Sequence, residues 1–345
     1  MASIMVTGGA GFIGSAFVRE ALKSGHKVLI YDLLTYAGHM PNIEECLKPG
    51  TCEFVKGDIR DSDLVLKLLN EHKIQYIVNF AAESHVDNSI NGPKAFIETN
   101  ILGTFGMLEA ARAYHRSGAP EGFRFLQVST DEVFGELGDS GFFTENSPHQ
   151  PNSPYSASKA GSDHLVRAWA HTYKLPIVLT NCSNNYGPRQ FPEKLIPRMI
   201  TCALKGEKLP VYGAGTNVRD WIHVEDHASG VLLALQKGEL GKSYCFGGRS
   251  ERKNLDVVKK ICGILDEMRP RENGRPYAEL IEFVTDRAGH DWRYAIDDTL
   301  AEQELGFSRR YTNFESGLEQ TVAWYLNNSA WLQSVFEKQP TEKQK

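Results

Sequence analysis

The stretch "VTGGAGFIGS", Val6 to Ser15, decides the fold. It follows the apolar run "SIM" and opens the amphipathic stretch "IGSAFVREALKSG", so Gly8, Gly11 and Gly14 lie between a strand and a helix. Glycine there permits a tight turn and lets the backbone approach a pyrophosphate, which then rests on the free amides and positive dipole of the helix N-terminus. Asp32 ends the next strand, "KVLIYD", roughly twenty residues further on. A carboxylate at that point accepts hydrogen bonds from an adenosine ribose and repels an added phosphate, which favours NAD over NADP.

Outward from this unit, the first half alternates apolar or β-branched runs with amphipathic stretches: "CEFVKGD", "DLVLKLLNEH", "YIVNFA", "AFIETNILGTFGMLEAARAYH", "RFLQVST", "AGSDHLVRAWAHTY" and "PIVLTNC". That rhythm predicts an α/β fold, a Rossmann-type doubly wound parallel sheet with helices on both faces. After Tyr186 it breaks into segments rich in proline, glycine and charge. "WIHVEDHASGVLLALQKG" reads as a strand and helix returning to the main sheet, and "NLDVVKKICGILDEM" as an amphipathic helix. The expected organisation is a NAD-binding domain from 1–185 and 221–248, a smaller discontinuous α/β substrate lobe from 186–220 and 249–335, and a polar tail, 336–345.

With 345 residues, 41% of them hydrophobic and 23% charged, the chain can bury a large core. Its net charge of -5 argues against a nucleic-acid surface, although a few local arginines can still hold an anionic small molecule. No apolar run approaches the length of a membrane span, and "MASIMVTGG" enters a strand without the basic and apolar regions of a signal peptide. A cytoplasmic location with no membrane partner is therefore expected. Six cysteines are scattered without C-x-x-C pairing and read as reduced thiols. His223 and His227 sit near acids in "HVEDH", but no further ligand cluster points to a metal.

Three segments at strand ends carry chemistry. "GDI", with Asp58, and "FAAES", with small alanines, end the third and fourth strands, where open α/β sheets bind ligands. "VSTDEVFGE", Val128 to Glu136, leaves a buried-looking strand with a hydroxyl and two adjacent carboxylates, Thr130, Asp131 and Glu132. "SPYSASKAG" then offers Ser153 as a cap and Pro154 in the first turn of a helix, which places Tyr155 and Lys159 on one face. A nearby ammonium, helped by an oxidised nicotinamide, would bring the tyrosine from its ordinary value toward the working range of a base.

The glycine triplet, Asp32, Tyr155 and Lys159 resemble the extended short-chain dehydrogenase/reductase family. Within it, "TYAG", "FAAESHVDNSI", "VSTDEVFGE", "SPYSASKAGSD", "NCSNNYGP", "FPEKLIP", "VRDWIHVEDH" and "DRAGHDWRYAID" resemble the dTDP-glucose 4,6-dehydratase family, from residue 4 to about residue 298. Phe134 departs from the pattern, where a tyrosine is common.

The resemblance implies a reaction and roles. Tyr155 takes the proton from O4 while C4 gives hydride to NAD, Lys159 supports the phenolate and the nicotinamide ribose, and Thr130 hydrogen-bonds O4. The new C4 ketone acidifies the C5 proton, which Glu132 removes, while a protonated Asp131 donates to the C6 oxygen as water leaves. Hydride then returns to C6, giving dTDP-4-keto-6-deoxyglucose for rhamnose-type deoxysugar biosynthesis, with NAD unchanged and held tightly. Neutral Asp131 needs a raised pKa, for which burial and the adjacent Glu132 are the available causes.

The implied cofactor site combines Gly8, Gly11, Phe12, Ile13 and Gly14 with Asp32, Leu33 and Thr35. To these it adds Asp58 and Ile59, then Phe80, Ala81, Ala82 and Ser84, and finally Thr99, Tyr155, Lys159 and Asn185. For the substrate, Arg219, Arg287 and Lys194 are the candidate cations for the diphosphate, and Asn184 and Asn254 serve its oxygens or the sugar's. Pro210 and Tyr212 offer a wall for the base and Glu193 a contact to the sugar, with Ser84, Thr130, Leu195, His290 and Tyr294 completing the set.

Alternatives remain at this point: a UDP-glucose 4,6-dehydratase, a nucleotide-sugar 4-epimerase, or a non-catalytic NAD-binding scaffold. An epimerase needs no carboxylate pair, and a scaffold predicts damaged catalytic positions, which the sequence does not show. The segments Ala95 to Tyr114 and Tyr155 to Tyr173 are more apolar than half-exposed helices need, and relatives commonly pair such helices across a two-fold axis, so a homodimer is expected.

Overall fold

The computed structural model describes residues 1–338. The first half runs β1 (Ser3–Thr7), α1 (Phe12–Lys23), β2 (Lys27–Asp32), β3 (Cys52–Lys56), α2 (Ser62–Glu71), β4 (Tyr76–Asn79), α3 (Val86–Asn91), α4 (Pro93–Phe96), α5 (Thr104–Arg116), β5 (Arg124–Thr130), α6 (Pro154–Tyr173) and β6 (Ile177–Cys182). There follow β7 (Asn184–Tyr186), α7 (Leu195–Lys205), β8 (Leu209–Tyr212), β9 (Val218–His223), α8 (Val224–Lys237), β10 (Ser243–Phe246), β11 (Glu251–Lys253), α9 (Asn254–Met268), β12 (Ile281–Val284), α10 (Phe314–Asn327) and α11 (Ser329–Lys338).

Seven strands form one sheet in the order β3-β2-β1-β4-β5-β6-β10, parallel throughout. The β-branched and apolar strands are buried on both faces, and all six residues of β6 are inside. One face carries α1 and α8 over Val6, Phe17, Ile30, Val231 and Leu235; the other carries α2, α5 and α6 over Leu29, Leu69, Ile77, Met107 and Val166. The strand order reverses between β1 and β4, which opens a crevice at their carboxyl ends. Smaller sheets, β11-β9-β7 and β12-β8, stand beyond that edge, with a separate core of Ile200, Val211, Val258, Leu265, Leu318 and Val322 under α7, α9 and α10.

Two expectations are corrected. Strand β9 does not return to the main sheet: it pairs with β7 and β11, and the return is made by α8 and β10. Its sequence explains this, because Arg219 and Asp220 are buried charges that a central parallel strand between two helix layers leaves unpaired, whereas here they meet backbone partners. The polar tail does not begin at 336 either. Phe336, Glu337 and Lys338 belong to α11, whose Trp331, Leu332 and Val335 are buried, and the rest of the expected tail, 339–345, lies outside the described residues.

Between α4 and α5 the helix widens into a π-helical turn, Ile97–Gly103, which the sequence reading treated as ordinary helix. Helix α6 starts as expected: Ser153 Oγ accepts from the Ser156 amide at 3.0 Å, Ser156 Oγ accepts from the Ser153 amide at 3.0 Å, and Pro154 fills the first position. All six cysteines are free thiols. Among the described residues no helix is long and apolar enough to cross a membrane.

Candidate active site

A cavity of about 360 Å³ occupies the crevice and gathers residues from segments between Gly8 and Trp221, including the ends of β1, β2, β4, β5 and β6. Its cofactor side is built of backbone. Gly8 has a φ of +64°, and a Cβ there would lie 2.7 Å from the Ala81 amide nitrogen. A Cβ on Gly14 would strike the Gly8 carbonyl, so α1 packs against the turn only as glycine. No side chain caps α1, which leaves its first amides aimed at the cavity for an anion. Asp32 is buried, accepting from the Ala10 amide at 2.9 Å and the Leu34 amide at 2.7 Å. A narrow glycine cradle, an uncapped helix start and a carboxylate at the end of β2 fit a dinucleotide.

Every residue expected at the cofactor lines this one cavity: Gly8, Gly11, Phe12, Ile13, Gly14, Asp32, Leu33, Thr35, Asp58, Ile59, Phe80, Ala81, Ala82, Ser84, Thr99, Tyr155, Lys159 and Asn185. Asp58 is held at the rim by Arg60, whose Nη2 lies 2.6 Å from Oδ2. The π-helical turn places Thr99 on the wall and turns Asn100 inward, where it accepts from the Glu83 amide at 2.9 Å and donates to Ser158 Oγ at 2.8 Å.

The sugar side is built of side chains. Strand β5 ends at Thr130, whose Oγ1 accepts from the Glu132 amide at 3.3 Å and starts a single tight turn over Asp131–Phe134. That turn sends Asp131 inward, with Oδ2 buried and without a hydrogen-bond partner among the described residues, while Glu132 stays half-buried. Burial, then the charges of Glu132 and Asp220, push the Asp131 carboxyl well above its ordinary range. Burial also raises Glu132, against the pull of Arg287, Lys194 and Arg219.

Tyr155 and Lys159 stand one helical turn apart on the buried face of α6. Lys159 Nζ donates to the Val128 carbonyl at 2.8 Å. Among the protein's own groups, burial dominates the Tyr155 phenol, Glu132 adds to it, and the phenol stands well above its ordinary value. One turn further along, Asp163 accepts from Ser129 Oγ at 2.6 Å; burial lifts it to about 6 against the opposing charge of Lys159. Continuing the Tyr155, Lys159 spacing by four residues reads Asp163 from sequence. Asp220 and Asn100 carried no comparable signal, because each reaches the site from a distant segment.

Of the residues expected at the substrate, Ser84, Thr130, Asn184, Glu193, Lys194 and Leu195 line the cavity. Lys194 Nζ donates to the Ser84 carbonyl at 2.6 Å, and Glu193 accepts from Tyr36 Oη at 3.2 Å. The other seven, Pro210, Tyr212, Arg219, Asn254, Arg287, His290 and Tyr294, are not on its wall. Arg219 is not the open fork expected of it. Its guanidinium donates to the carbonyls of Val218 at 2.7 Å and Asp291 at 2.9 Å and stacks over Tyr294, 4.3 Å from the ring centre. Arg287 Nη1 and Tyr212 Oη both reach Asp87, at 3.3 and 2.9 Å, and His290 pairs with Asp286 at 2.6 Å. Asn254 starts α9, with its amide on the Asn217 carbonyl at 3.0 Å.

His227 and His223 are buried and held to about 3 by desolvation, and among the described residues no group of three or more His, Cys, Asp or Glu is placed to hold a metal.

Residues 5–321 match the family described as GDP-mannose 4,6 dehydratase. A dTDP-glucose 4,6-dehydratase of Xanthomonas campestris pv. campestris (strain B100) is 55% identical over 340 residues, 98% of this chain and 97% of that protein. The crystal structure of a dTDP-glucose 4,6-dehydratase from Streptomyces venezuelae with NAD and TYD bound superposes with a TM-score of 0.87 at 44% identity, covering 96% of this chain and 99% of that one. A UDP-glucose 4-epimerase from Thermotoga maritima shares the fold at a TM-score of 0.83 and 26% identity, over 95% and 99% of the two chains.

Proposed function

The chain belongs to the dTDP-glucose 4,6-dehydratase family of extended short-chain dehydrogenase/reductases, and from that premise we propose how its cleft performs the reaction. The protein is an NAD-dependent hydro-lyase that converts dTDP-glucose to dTDP-4-keto-6-deoxyglucose for deoxysugar biosynthesis. The Gly8–Gly14 cradle and Asp32 would hold NAD, which would supply the hydride acceptor for C4 and the hydride returned to C6. Tyr155 draws the proton from O4, with Thr130 beside the same oxygen. Burial and Glu132 hold the phenol high, and Lys159, with the positive charge that an oxidised nicotinamide would add, would favour its ionisation.

Glu132, half-buried and within the field of Arg287, Lys194 and Arg219, removes the C5 proton. Asp131, buried among carboxylates, keeps its proton and delivers it to the departing C6 oxygen. Lys194, on the cavity wall, supplies charge toward the diphosphate. The observation that supports this reading most directly is the pair itself: two successive carboxylates, Asp131 buried with an unpartnered oxygen and Glu132 half-buried in the field of Arg287, Lys194 and Arg219, lining one cleft with Tyr155. An epimerase has no use for that difference. The outward face of α5, α6 and the π-helical turn leaves Leu102 51%, Phe105 45% and Tyr173 45% exposed, and we assign it to a two-fold dimer contact in a cytoplasmic enzyme.

The test is the mass of the product after incubation with dTDP-, UDP-, GDP- and CDP-glucose in separate tubes. Loss of one water from dTDP-glucose is the expected result. Unchanged masses, with a galactose-configured product, would move the case to epimerisation.

A further inference from the structure

Helix α11 lies far from the reacting carboxylates in sequence, yet its polar contacts run to the cofactor side of the cleft. Lys338 Nζ donates to the Thr35 carbonyl at 2.6 Å, to Leu34 at 3.4 Å, and to Gly38. Ser334 Oγ meets His39 Nε2 at 2.8 Å, and Trp331 Nε1 donates to Asn42 Oδ1 at 2.8 Å. The same Asn42 donates to the Ala10 carbonyl at 2.9 Å, where the His39 amide also donates at 3.0 Å. Three residues of one helix therefore hold the whole 34–42 loop, and through it the glycine turn.

This loop needs holding. Leu33, Thr35, Ala37 and Gly38 form the cavity wall beside Asp32. Leu34 adopts a left-handed φ of +57°, which a branched residue takes only when its surroundings impose it, and Lys338 binds its carbonyl. Gly38 passes so close to Asp32 that a Cβ there would lie 2.7 Å from Oδ1. Apart from α11 the loop is held by Tyr36 Oη on Glu193 and by the His39 and Asn42 bonds to the Ala10 carbonyl, so α11 supplies the ties at Leu34, Thr35 and Gly38.

We propose that α11 is a strap that retains the dinucleotide, with Lys338, Ser334 and Trp331 as positioning residues acting through the 34–42 loop and Ala10. The inference rests on the reading that the cleft holds NAD. It fits a reaction that regenerates its cofactor within each turnover, for which slow release carries no kinetic penalty. The Lys338 ammonium, capping three carbonyls at once, is the anchor whose loss frees the loop without emptying a core position.

The full-length protein is loaded with NADH, and fluorescence is followed during a chase with excess NAD, for wild type, Lys338→Ala and Lys338→Arg. Charge-assisted hydrogen bonds of this kind set the expected scale, about a ten- to hundred-fold faster release for Lys338→Ala. Lys338→Arg, which keeps charge and donors, releases slowly. The defect in Lys338→Ala appears in the NAD concentration needed for dehydration, and the melting temperature of the NAD-free protein stays at the wild-type value. Unchanged release from Lys338→Ala, with wild type holding NADH tightly, overturns the strap alone. Faster release accompanied by a lower melting temperature of the NAD-free protein, without rescue by arginine, reduces α11 to a structural role and overturns it too. Failure of the wild type to retain NADH would instead overturn the cofactor reading on which the strap rests.

Discussion

The two sides of the cleft are made of different material. The cofactor side is backbone: glycines that admit no side chain, an uncapped helix start, and one carboxylate with both oxygens on main-chain amides. The sugar side is ionisable side chains that burial has displaced from their ordinary values: Asp131, Glu132, Tyr155 and Lys159. A backbone cradle has one geometry and one charge state, which suits a ligand that stays. Buried titratable groups are poised between two states, which suits protons that move.

That contrast can be broken most severely at Glu132. Replacing it with glutamine keeps shape and burial but removes the base, and the dehydration rate is expected to fall by about 10²- to 10⁴-fold. NAD content measured on the purified protein should not change. If both fall together, the two sides are not independent.

The converse change is Gly14→Ala, which pushes a methyl against the Gly8 carbonyl. Overpacking of this kind costs about 1–3 kcal/mol. The bound-NAD stoichiometry should drop to a small fraction of wild type, with dehydration largely restored by added NAD; full occupancy would show that the cradle gives way.

Asp131→Asn sharpens the comparison through pH. The native carboxyl is raised above its unfolded value, so the stability it contributes is complete below the ordinary aspartate range and is lost as pH rises through the raised native value. The asparagine variant should therefore match wild type near pH 4 and melt a few degrees higher at about pH 9, although it dehydrates slowly. Equal melting at both pH values would mean that Asp131 is not held neutral.

The smallest effect concerns neither side. Phe105→Glu places a charge in the exposed apolar face of α5 that we assign to the dimer contact, and sedimentation should report a monomer, with NAD content unchanged.

Much of this was legible in the chain. The residues expected on the cofactor side fall together in one cavity because the main determinants are local: a glycine triplet, a strand and a carboxylate follow one another, and steric exclusion by a backbone needs no distant partner. The Tyr155, Lys159 pair was legible because a helix repeats, and the same period extended once more reaches Asp163. The substrate side was only half legible. Lys194 and Glu193 reach the wall, but Arg219, read as a free fork, turns back onto carbonyls from 291 and 218, a partnership that no spacing announces.

By itself the sequence determined which strands carry ligand groups, which helix begins at Ser153, and which residue types stand at the reacting end of β5. Tertiary structure alone supplied the burial of those groups and added to the charge of adjacent Glu132 the field of Asp220, Arg219 and Arg287, which come from segments far along the chain. It alone also decided that β9 leaves the main sheet and that α11 closes on the 34–42 loop. Local propensity acts over a few residues, whereas burial and charge act across whatever the fold brings together.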